Sequence, residues 1–241
     1  YVEGKEYYGY EKNKITDLSV FYKMMREKKE ITTSLVNIES AKKECKKILD
    51  KRNDLIYIGF SSGLSGTYQA VSIALEDLKE EYPNQKIYYV DTLAAALGQG
   101  LLVYYAIQMR KDGKSIEETY QWVIDNRLHL CHWFTVDDLF FLKRGGRVSA
   151  TTAVLGTALS IKPVMHVDNE GYLIVMDKVR GRKKSLEALV EQFDKMAINK
   201  ENQDIFISHG DCLEDAQFVE QKLREKYKIK NVLINMLDPV I

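Results

Sequence analysis

The sequence predicts an α/β protein of two domains, and three observations support this fold class. Short apolar runs at 55–58 and 87–90 alternate with helical segments, which is the βαβα order of a parallel sheet with helices on its faces. After about residue 128 the pattern changes to a hairpin followed by further βα units, which favours a mixed sheet. The chain has 241 residues, enough for two domains. We therefore predict a three-layer α/β/α domain with a parallel sheet at 1–128 and a two-layer α/β domain with a mixed sheet at 129–241.

The elements of the first domain follow from hydrophobic periodicity and from start and stop signals. Asp17 or Ser19 is the candidate cap of the first helix, Asn37 caps the second, and Pro83 stops the third. In chain order the predicted elements are a helix at 21–28, a helix through 38–49, a strand at 55–58, a helix at 67–81, a strand at 87–90, and helices at 98–109 and 116–128.

The second domain is predicted in the same way. Asp168-Asn-Glu-Gly171 forms a four-residue loop between two strand-like runs, which predicts a β-hairpin. In chain order the predicted elements are a strand at 130–136, helices at 137–143 and 152–160, strands at 161–167 and 173–179, a helix at 185–196, a strand at 204–208, a helix at 214–226 and a strand at 232–236.

Composition excludes several classes of function. Lys plus Arg and Asp plus Glu both number 35, so no net field attracts nucleic acid or an anionic membrane. The three cysteines are widely spaced and odd in number, which favours a reducing cytoplasm over a disulfide framework. No signal peptide opens the chain, and no apolar run has membrane-spanning length. We expect a cytoplasmic protein without stable membrane insertion.

The stretch after the first predicted strand carries the clearest chemical signal. Ser61-Ser-Gly-Leu-Ser-Gly-Thr67 is rich in small and hydroxyl residues, and a helical repeat follows it directly. A strand, a Gly/Ser loop and a helix start together aim free backbone N–H groups and the positive end of the helix at one point. We therefore expect an anionic or oxyanionic ligand over Ser65.

A hydrolase is an alternative interpretation of the same stretch. Gly59-Phe-Ser-Ser-Gly63 matches the G-x-S-x-G pattern of a nucleophile elbow, with Ser61 as the nucleophile. Asp91 or Asp168 and then His209 would complete a triad in chain order. Against this alternative, the predicted helix begins several residues beyond Ser61, and the architecture changes before the histidine.

Several motifs in a fixed order resemble the DegV family of bacterial fatty-acid-binding proteins. The resemblance extends over nearly the whole chain, and the ordered set is specific although each motif alone is weak. The motifs are Gly4-Lys-Glu-Tyr7, Thr32-Thr-Ser34, Ser61-Ser-Gly-Leu-Ser-Gly-Thr-Tyr-Gln69, Asp91-Thr92 with Gly98-Gln-Gly100, Leu142-Lys-Arg-Gly-Gly-Arg-Val-Ser149, Ile161-Lys-Pro163 and Lys178-Val-Arg-Gly-Arg-Lys-Lys184.

This resemblance implies a lipid carrier that is not itself an enzyme. It implies that a long-chain fatty acid such as palmitate or stearate lies between two domains, with its carboxylate held by Thr33 and Ser65. Four neighbouring positions are further candidates for ligand contact: Ser34, Ser62, Gly66 and Thr67. It also implies that a separate kinase subunit phosphorylates the bound carboxyl group, with Arg147 and Arg180 facing that partner. We expect no catalytic residue, no metal and no cofactor.

The sequence departs from the family pattern in four places. Leu35-Val-Asn37 replaces the usual Gln-Pro-Ser after the threonine motif, and Ala96 stands where a second serine is frequent. The family's first strand and its C-terminal His-Thr-Gly-Pro-Gly-like loop have no counterpart, so the chain resembles a family member trimmed at both ends.

The sequence also argues against a metal site and against a phosphotransferase. His129 and His132 have ligand-like spacing, but a strand at this point sends their side chains to opposite faces. A phosphotransferase acting alone is a further alternative, since the family shares its fold with dihydroxyacetone kinase. The chain has no G-x-x-x-x-G-K-[ST] loop for a nucleotide.

Overall fold

The computed structural model describes residues 1–7, 17–137, 139–149 and 160–239. Its contacts divide the chain into two compact units. Unit 1 comprises Tyr1–Ser34, Trp133–His166 and Val175–Ile241, and unit 2 comprises Leu35–His132 and Val167–Ile174. Packing therefore groups the first 34 residues with the C-terminal half of the chain. The division of the chain into domains at 1–128 and 129–241 stays a prediction.

The helices and strands follow the predicted order. In unit 2 they are α2 (Ile38–Leu49), β1 (Leu55–Gly59), α3 (Thr67–Glu81), β2 (Ile87–Asp91), α4 (Ala96–Lys111) and α5 (Ile116–Asn126). Unit 1 contains α1 (Leu18–Arg26), β3 (Trp133–Thr135), α6 (Phe140–Arg144), β4 (Ile161–Val167), β5 (Leu173–Arg180), α7 (Arg182–Met196), β6 (Asp204–His209), α8 (Leu213–Lys226) and β7 (Asn231–Met236), with the hairpin tip between β4 and β5 grouped in unit 2.

Unit 2 is a three-layer α/β/α arrangement. Strands β1 and β2 pair in parallel, with Leu55 opposite Ile87 and Ile58 opposite Val90. Residues three apart on a strand point to opposite faces. Leu55 and Ile87 accordingly pack with α2 and α3, whereas Ile58 and Val90 pack with α4 and α5. The predicted parallel sheet with helices on both faces is confirmed.

Unit 1 combines parallel and antiparallel pairing. Strand β3 is antiparallel to β4, and the described strands of this sheet run in the order β3-β4-β5. Strands β6 and β7 form a separate parallel pair, connected by α8. Helices α7 and α8 pack together through a core that is apolar throughout: Leu186, Val190, Val219, Leu223 and Ile229.

Local capping determines where α1, α2 and α5 begin, and α1 begins at Leu18, three residues before its predicted start. Asp17 accepts hydrogen bonds from the backbone of Ser19 at 2.9 Å, and Asn37 accepts one from Ser40 at 2.7 Å. Ser115 and Glu118 form a reciprocal capping box at the start of α5.

Some predicted bounds shift in the structure. Strand β3 has only three residues, and α7 begins three residues before the predicted start. The hairpin loop has five residues, 168–172, and Tyr172 closes it by accepting from Asp168 N and donating to Asp168 Oδ1, both at 2.9 Å. The helix predicted at 152–160 lies outside the described residues except for its last position. In the described parts of the chain, every helix is too short or too polar to cross a bilayer.

Candidate functional site

Two loops meet at the carboxyl edge of the parallel sheet of unit 2. We name them loop A (60–66, after β1) and loop B (92–95, after β2). The carboxyl ends of parallel strands are the usual place for ligands in α/β proteins. The loops are joined by hydrogen bonds from Ser61 N to Ala94 O at 2.9 Å and from Thr92 Oγ1 to Gly59 O at 2.7 Å. This edge is therefore held by side-chain and backbone bonds together.

Helix α3 begins at the end of loop A, and Ser65 and Thr67 mark its start. Ser65 Oγ accepts from Thr67 N at 3.2 Å and donates to Thr67 Oγ1 at 3.0 Å. Both residues are half-buried, whereas Ser62 and Gly66 are exposed. The first N–H groups of a helix have no intrahelical carbonyl, and they carry the positive end of the helix dipole. Hydroxyl and N–H groups therefore lie together at the N-terminus of α3.

The carboxylate of Asp91 organises both loops. Its Oδ1 accepts from Ser62 N at 3.2 Å and from Leu93 N at 3.0 Å. Arg127 donates to the backbone carbonyl of Asp91 at 2.8 Å. Asp91 therefore ends the strand and caps the turns after it, and these contacts do not require a catalytic role.

Loop B and the start of α4 contain backbone strain. Leu93 has φ 52° and Ala96 has φ 48°, a left-handed conformation that is unfavourable for residues other than glycine. Such strain is found preferentially at binding sites, where the surrounding bonds hold it in place. Here the bond from Leu93 N to Asp91 supplies one of those restraints.

Aromatic rings surround the start of α3. Tyr68 stacks on Tyr57 with a centroid distance of 6.4 Å. Burial raises the pKa of Tyr57 to about 12 and also raises the pKa of Tyr68. A phenol is neutral near pH 7 at its ordinary pKa, and burial moves both groups further from ionisation, so neither adds a negative charge that would repel an anion beside α3.

Ser61 lies in the wrong environment for a nucleophile. Its side chain has no exposed surface, and its hydroxyl donates to Gly171 O at 2.8 Å while accepting from Gly63 N at 3.2 Å. Asp91 is engaged with backbone N–H groups, and His209 Nδ1 accepts from Cys212 N at 3.2 Å within unit 1. A nucleophilic serine must reach both a base and a substrate, so this structure does not support the hydrolase interpretation.

Wild-type protein should stay unlabelled by a fluorophosphonate probe and should not cleave p-nitrophenyl esters. The reason is that Ser61 has no exposed surface, and that its hydroxyl donates to one backbone group and accepts from another. Intact-protein mass spectrometry after incubation measures the labelling. Labelling of wild type that disappears in Ser61→Ala would restore the hydrolase interpretation.

The remaining predicted ligand residues belong to unit 1. Thr33 and Ser34 are exposed and lie in an extended segment between Ile31, which bridges to Val2, and the start of α2. This segment is fixed at its beginning by the bond from Thr32 N to Tyr1 O at 3.0 Å. Of the six candidates for ligand contact, unit 2 therefore contains Ser62, Ser65, Gly66 and Thr67.

The predicted partner-facing arginines also lie in unit 1, and both are exposed. Arg147 donates to the carbonyl of Gly145 in its own turn, and Arg180 ends β5. Arg182, from the same basic motif, forms an ion pair with Asp215 at 2.7 Å. In the described residues, no group of three His, Cys, Asp or Glu side chains is arranged to hold a metal.

Sequence reasoning missed the contact between loop A and the tip of the β4–β5 hairpin. A Cβ at Gly63 would lie 2.9 Å from the carbonyl oxygens of Glu170 and Gly171. Gly63 and Gly171 were the only signals in the sequence, because close backbone approach requires glycine.

Comparisons with known proteins identify the family of this chain. A family model described as "Uncharacterised protein, DegV family" matches residues 2–241. The chain belongs to the DegV family. A DegV domain-containing protein of Clostridium perfringens is 49% identical over 221 residues, which cover 92% of this chain and 76% of that relative.

Solved structures of DegV proteins have the same fold. A protein of Thermotoga maritima, whose structure is described as revealing a fatty acid binding function, is 28% identical with a TM-score of 0.77, covering 92% of this chain and 77% of that one. A DegV family protein of Thermus thermophilus, described by its fatty acid binding, is 27% identical with a TM-score of 0.81, covering 99% and 83%. The predicted fold class is thereby confirmed.

Proposed function

We propose that this DegV protein binds a long-chain fatty acid such as palmitate or stearate, with its carboxylate at the start of α3. The observation that carries the proposal is the Ser65–Thr67 pair, where two half-buried hydroxyls lie beside loop A at the N-terminal, positive end of α3. Thr33 supplies a second hydroxyl, as the family resemblance implies. Ser34, Ser62 and Gly66 are the neighbouring contacts in this proposal.

The tail and the head group of the fatty acid contribute to binding in different ways. Burial of one methylene stabilises by about 0.8 kcal/mol, so a sixteen-carbon tail contributes on the order of 12 kcal/mol before the entropic cost of binding. A hydrogen bond to the head group adds about 1 kcal/mol, or about twice that when the carboxylate is ionised. The tail therefore supplies affinity, and the hydroxyls orient the acid and satisfy a group that is costly to bury alone.

The bound acid is then presented to a kinase subunit in the bacterial cytoplasm, which phosphorylates its carboxyl group. Two features support a carrier over an enzyme. The Ser61 hydroxyl is buried and both donates to and accepts from the backbone, and the Asp91 carboxylate is engaged in capping. Arg147 and Arg180 are assigned to the surface that meets the kinase.

Purified protein should contain fatty acid from its host. Native mass spectrometry of the protein, followed by lipid extraction, measures the mass of bound ligand directly. We expect fatty acids of sixteen to eighteen carbons at roughly one per chain, because shorter tails lose about 0.8 kcal/mol per methylene. Protein that carries no lipid and does not bind added stearate would contradict the proposal.

A further inference from the structure

Ser61 is a buried hydroxyl that the proposed function does not use, and every one of its polar groups has a partner. Its N–H donates to Ala94 O at 2.9 Å, and its carbonyl accepts from Leu64 N and Ser65 N, both at 3.1 Å. Its hydroxyl bridges Gly171 O and Gly63 N at 2.8 and 3.2 Å. Ser61 therefore connects loop A to loop B and to the hairpin tip at once.

The hairpin tip is a rigid anchor for this contact. Asp168 Oδ1 accepts from Glu170 N and from Tyr172 N, both at 2.9 Å. Its backbone N–H donates to Tyr172 O at 2.9 Å, and its carbonyl accepts from Gly171 N at 3.0 Å. These bonds fix the carbonyl of Gly171 independently of Ser61, so the tip supplies a stationary acceptor.

The glycines show that the contact leaves no spare space. A Cβ at Gly171 would lie 2.0 Å from Ser61 Oγ, and Gly171 has φ +83°. Gly63 faces the carbonyl oxygens of Glu170 and Gly171 in the same way, at 2.9 Å. Loop A is therefore held in one position on the tip, and the direction of the Ser65 hydroxyl depends on that position.

We propose that Ser61 is a positioning residue, which fixes residues 62–65 of loop A on Gly171 and so aims the head-group donors of the lipid site. The inference rests on the proposed function, since it gives the G-x-S-x-G serine a role in orienting the carboxylate. Without the hydroxyl, Gly63 N loses its acceptor and Gly171 O its donor, while the backbone bonds of Ser61 remain. Loop A then samples several positions, and its donors no longer converge.

The test compares stearate with stearyl alcohol, which has the same tail and a neutral head group. Titration of delipidated wild type, Ser61→Ala and Ser185→Ala gives the acid-to-alcohol affinity ratio of each. Ser185 is the matched control, because it is also fully buried and its hydroxyl donates to the Arg182 carbonyl at 2.7 Å in unit 1. We expect the ratio to fall about fivefold in Ser61→Ala, as for the loss of one net hydrogen bond, and to be unchanged in Ser185→Ala.

A second pair of variants tests the same contact from the hairpin side. Gly171→Ala places a methyl group against Ser61 Oγ, whereas Gly113→Ala imposes a similar backbone strain, at φ +79°, with nothing within 4 Å. The acid-to-alcohol ratio should fall in the first and not in the second. Amide exchange of residues 62–66 should accelerate in Ser61→Ala and Gly171→Ala alone.

The outcomes separate this inference from the proposed function. A normal wild-type ratio that Ser61→Ala and Gly171→Ala leave unchanged would overturn the role of Ser61 only. Wild-type protein that binds both ligands equally would contradict the head-group site itself. In that case amide exchange still tests whether Ser61 holds loop A on Gly171. Unchanged exchange of residues 62–66 in Ser61→Ala would overturn the positioning role of Ser61.

Discussion

Replacing Thr33 and Ser65 together by alanine should weaken fatty-acid binding by about 2–4 kcal/mol, which is roughly 30-fold or more in Kd. In the proposed complex the hydroxyls of Thr33 and Ser65 donate to the carboxylate, which replaces Thr67 Oγ1 as the acceptor of the Ser65 hydroxyl. A charged acceptor makes such bonds about twice as strong as neutral ones. Ser65 also accepts from Thr67 N at 3.2 Å, so its loss leaves one more helix N–H without a protein partner. Titration with a fluorescent fatty acid measures the change.

The control for this pair is Thr32→Ala with Ser72→Ala. Thr32 is the exposed neighbour of Thr33, and Ser72 lies in α3 with its hydroxyl bonded to Gln69 O at 2.9 Å. The control removes the same number of hydroxyls, from the segment of Thr33 and from the helix that follows Ser65. Neither residue is a predicted ligand contact, so its affinity should match wild type. Thermal unfolding shows whether both double variants remain folded. A Thr33/Ser65 variant that binds as tightly as its control would place the carboxylate elsewhere.

The sequence was sufficient for the parts of the fold that depend on neighbours along the chain. Asp17 and Asn37 cap helices because their side chains reach N–H groups two or three residues away. Strands β1 and β2 were predictable because each is a short apolar run, and α3 connects them in the usual parallel crossover. The start of α3 at Thr67 is likewise a local feature of a Gly/Ser loop.

The rest depends on contacts between distant residues, which periodicity does not encode. Ser61 and Gly171 lie 110 residues apart, and the G-x-S-x-G match gave a nucleophile at Ser61 only as an alternative interpretation. Residues Tyr1–Ser34 belong to unit 1 through contacts with distant residues, such as the hydrogen bond from Tyr22 OH to Leu237 O at 3.1 Å. Such pairs are fixed by tertiary packing, so one sequence gives only weak signals for them, such as an isolated glycine.

Reversing the charge of Arg147 and Arg180 should lower acyl-phosphate formation at least about tenfold when the cognate kinase and ATP are supplied. Both side chains are exposed on unit 1, so neither change removes core packing. A glutamate at each position replaces attraction to an acidic partner by repulsion, and like charges across an interface cost several kcal/mol. Fatty-acid affinity should stay near that of wild type, because the proposed head-group donors are hydroxyl and N–H groups.

The matched control is Lys228→Glu with Lys230→Glu, which changes the net charge equally at two other exposed positions of unit 1. A general effect of charge on solubility or folding would appear in both double variants, whereas loss of a docking surface appears only in the arginine pair. Wild-type turnover should also fall with added salt, since the Debye length shortens from ~8 Å at 0.15 M to ~3 Å at 1 M. Equal rates of acyl-phosphate formation in the arginine double variant and its control would indicate that Arg147 and Arg180 belong to a solvated face and not to a docking surface. Loss of lipid binding in the arginine double variant alone would instead place Arg147 and Arg180 at the carboxylate. Glutamate at those positions would repel the charged head group, which arginine attracts.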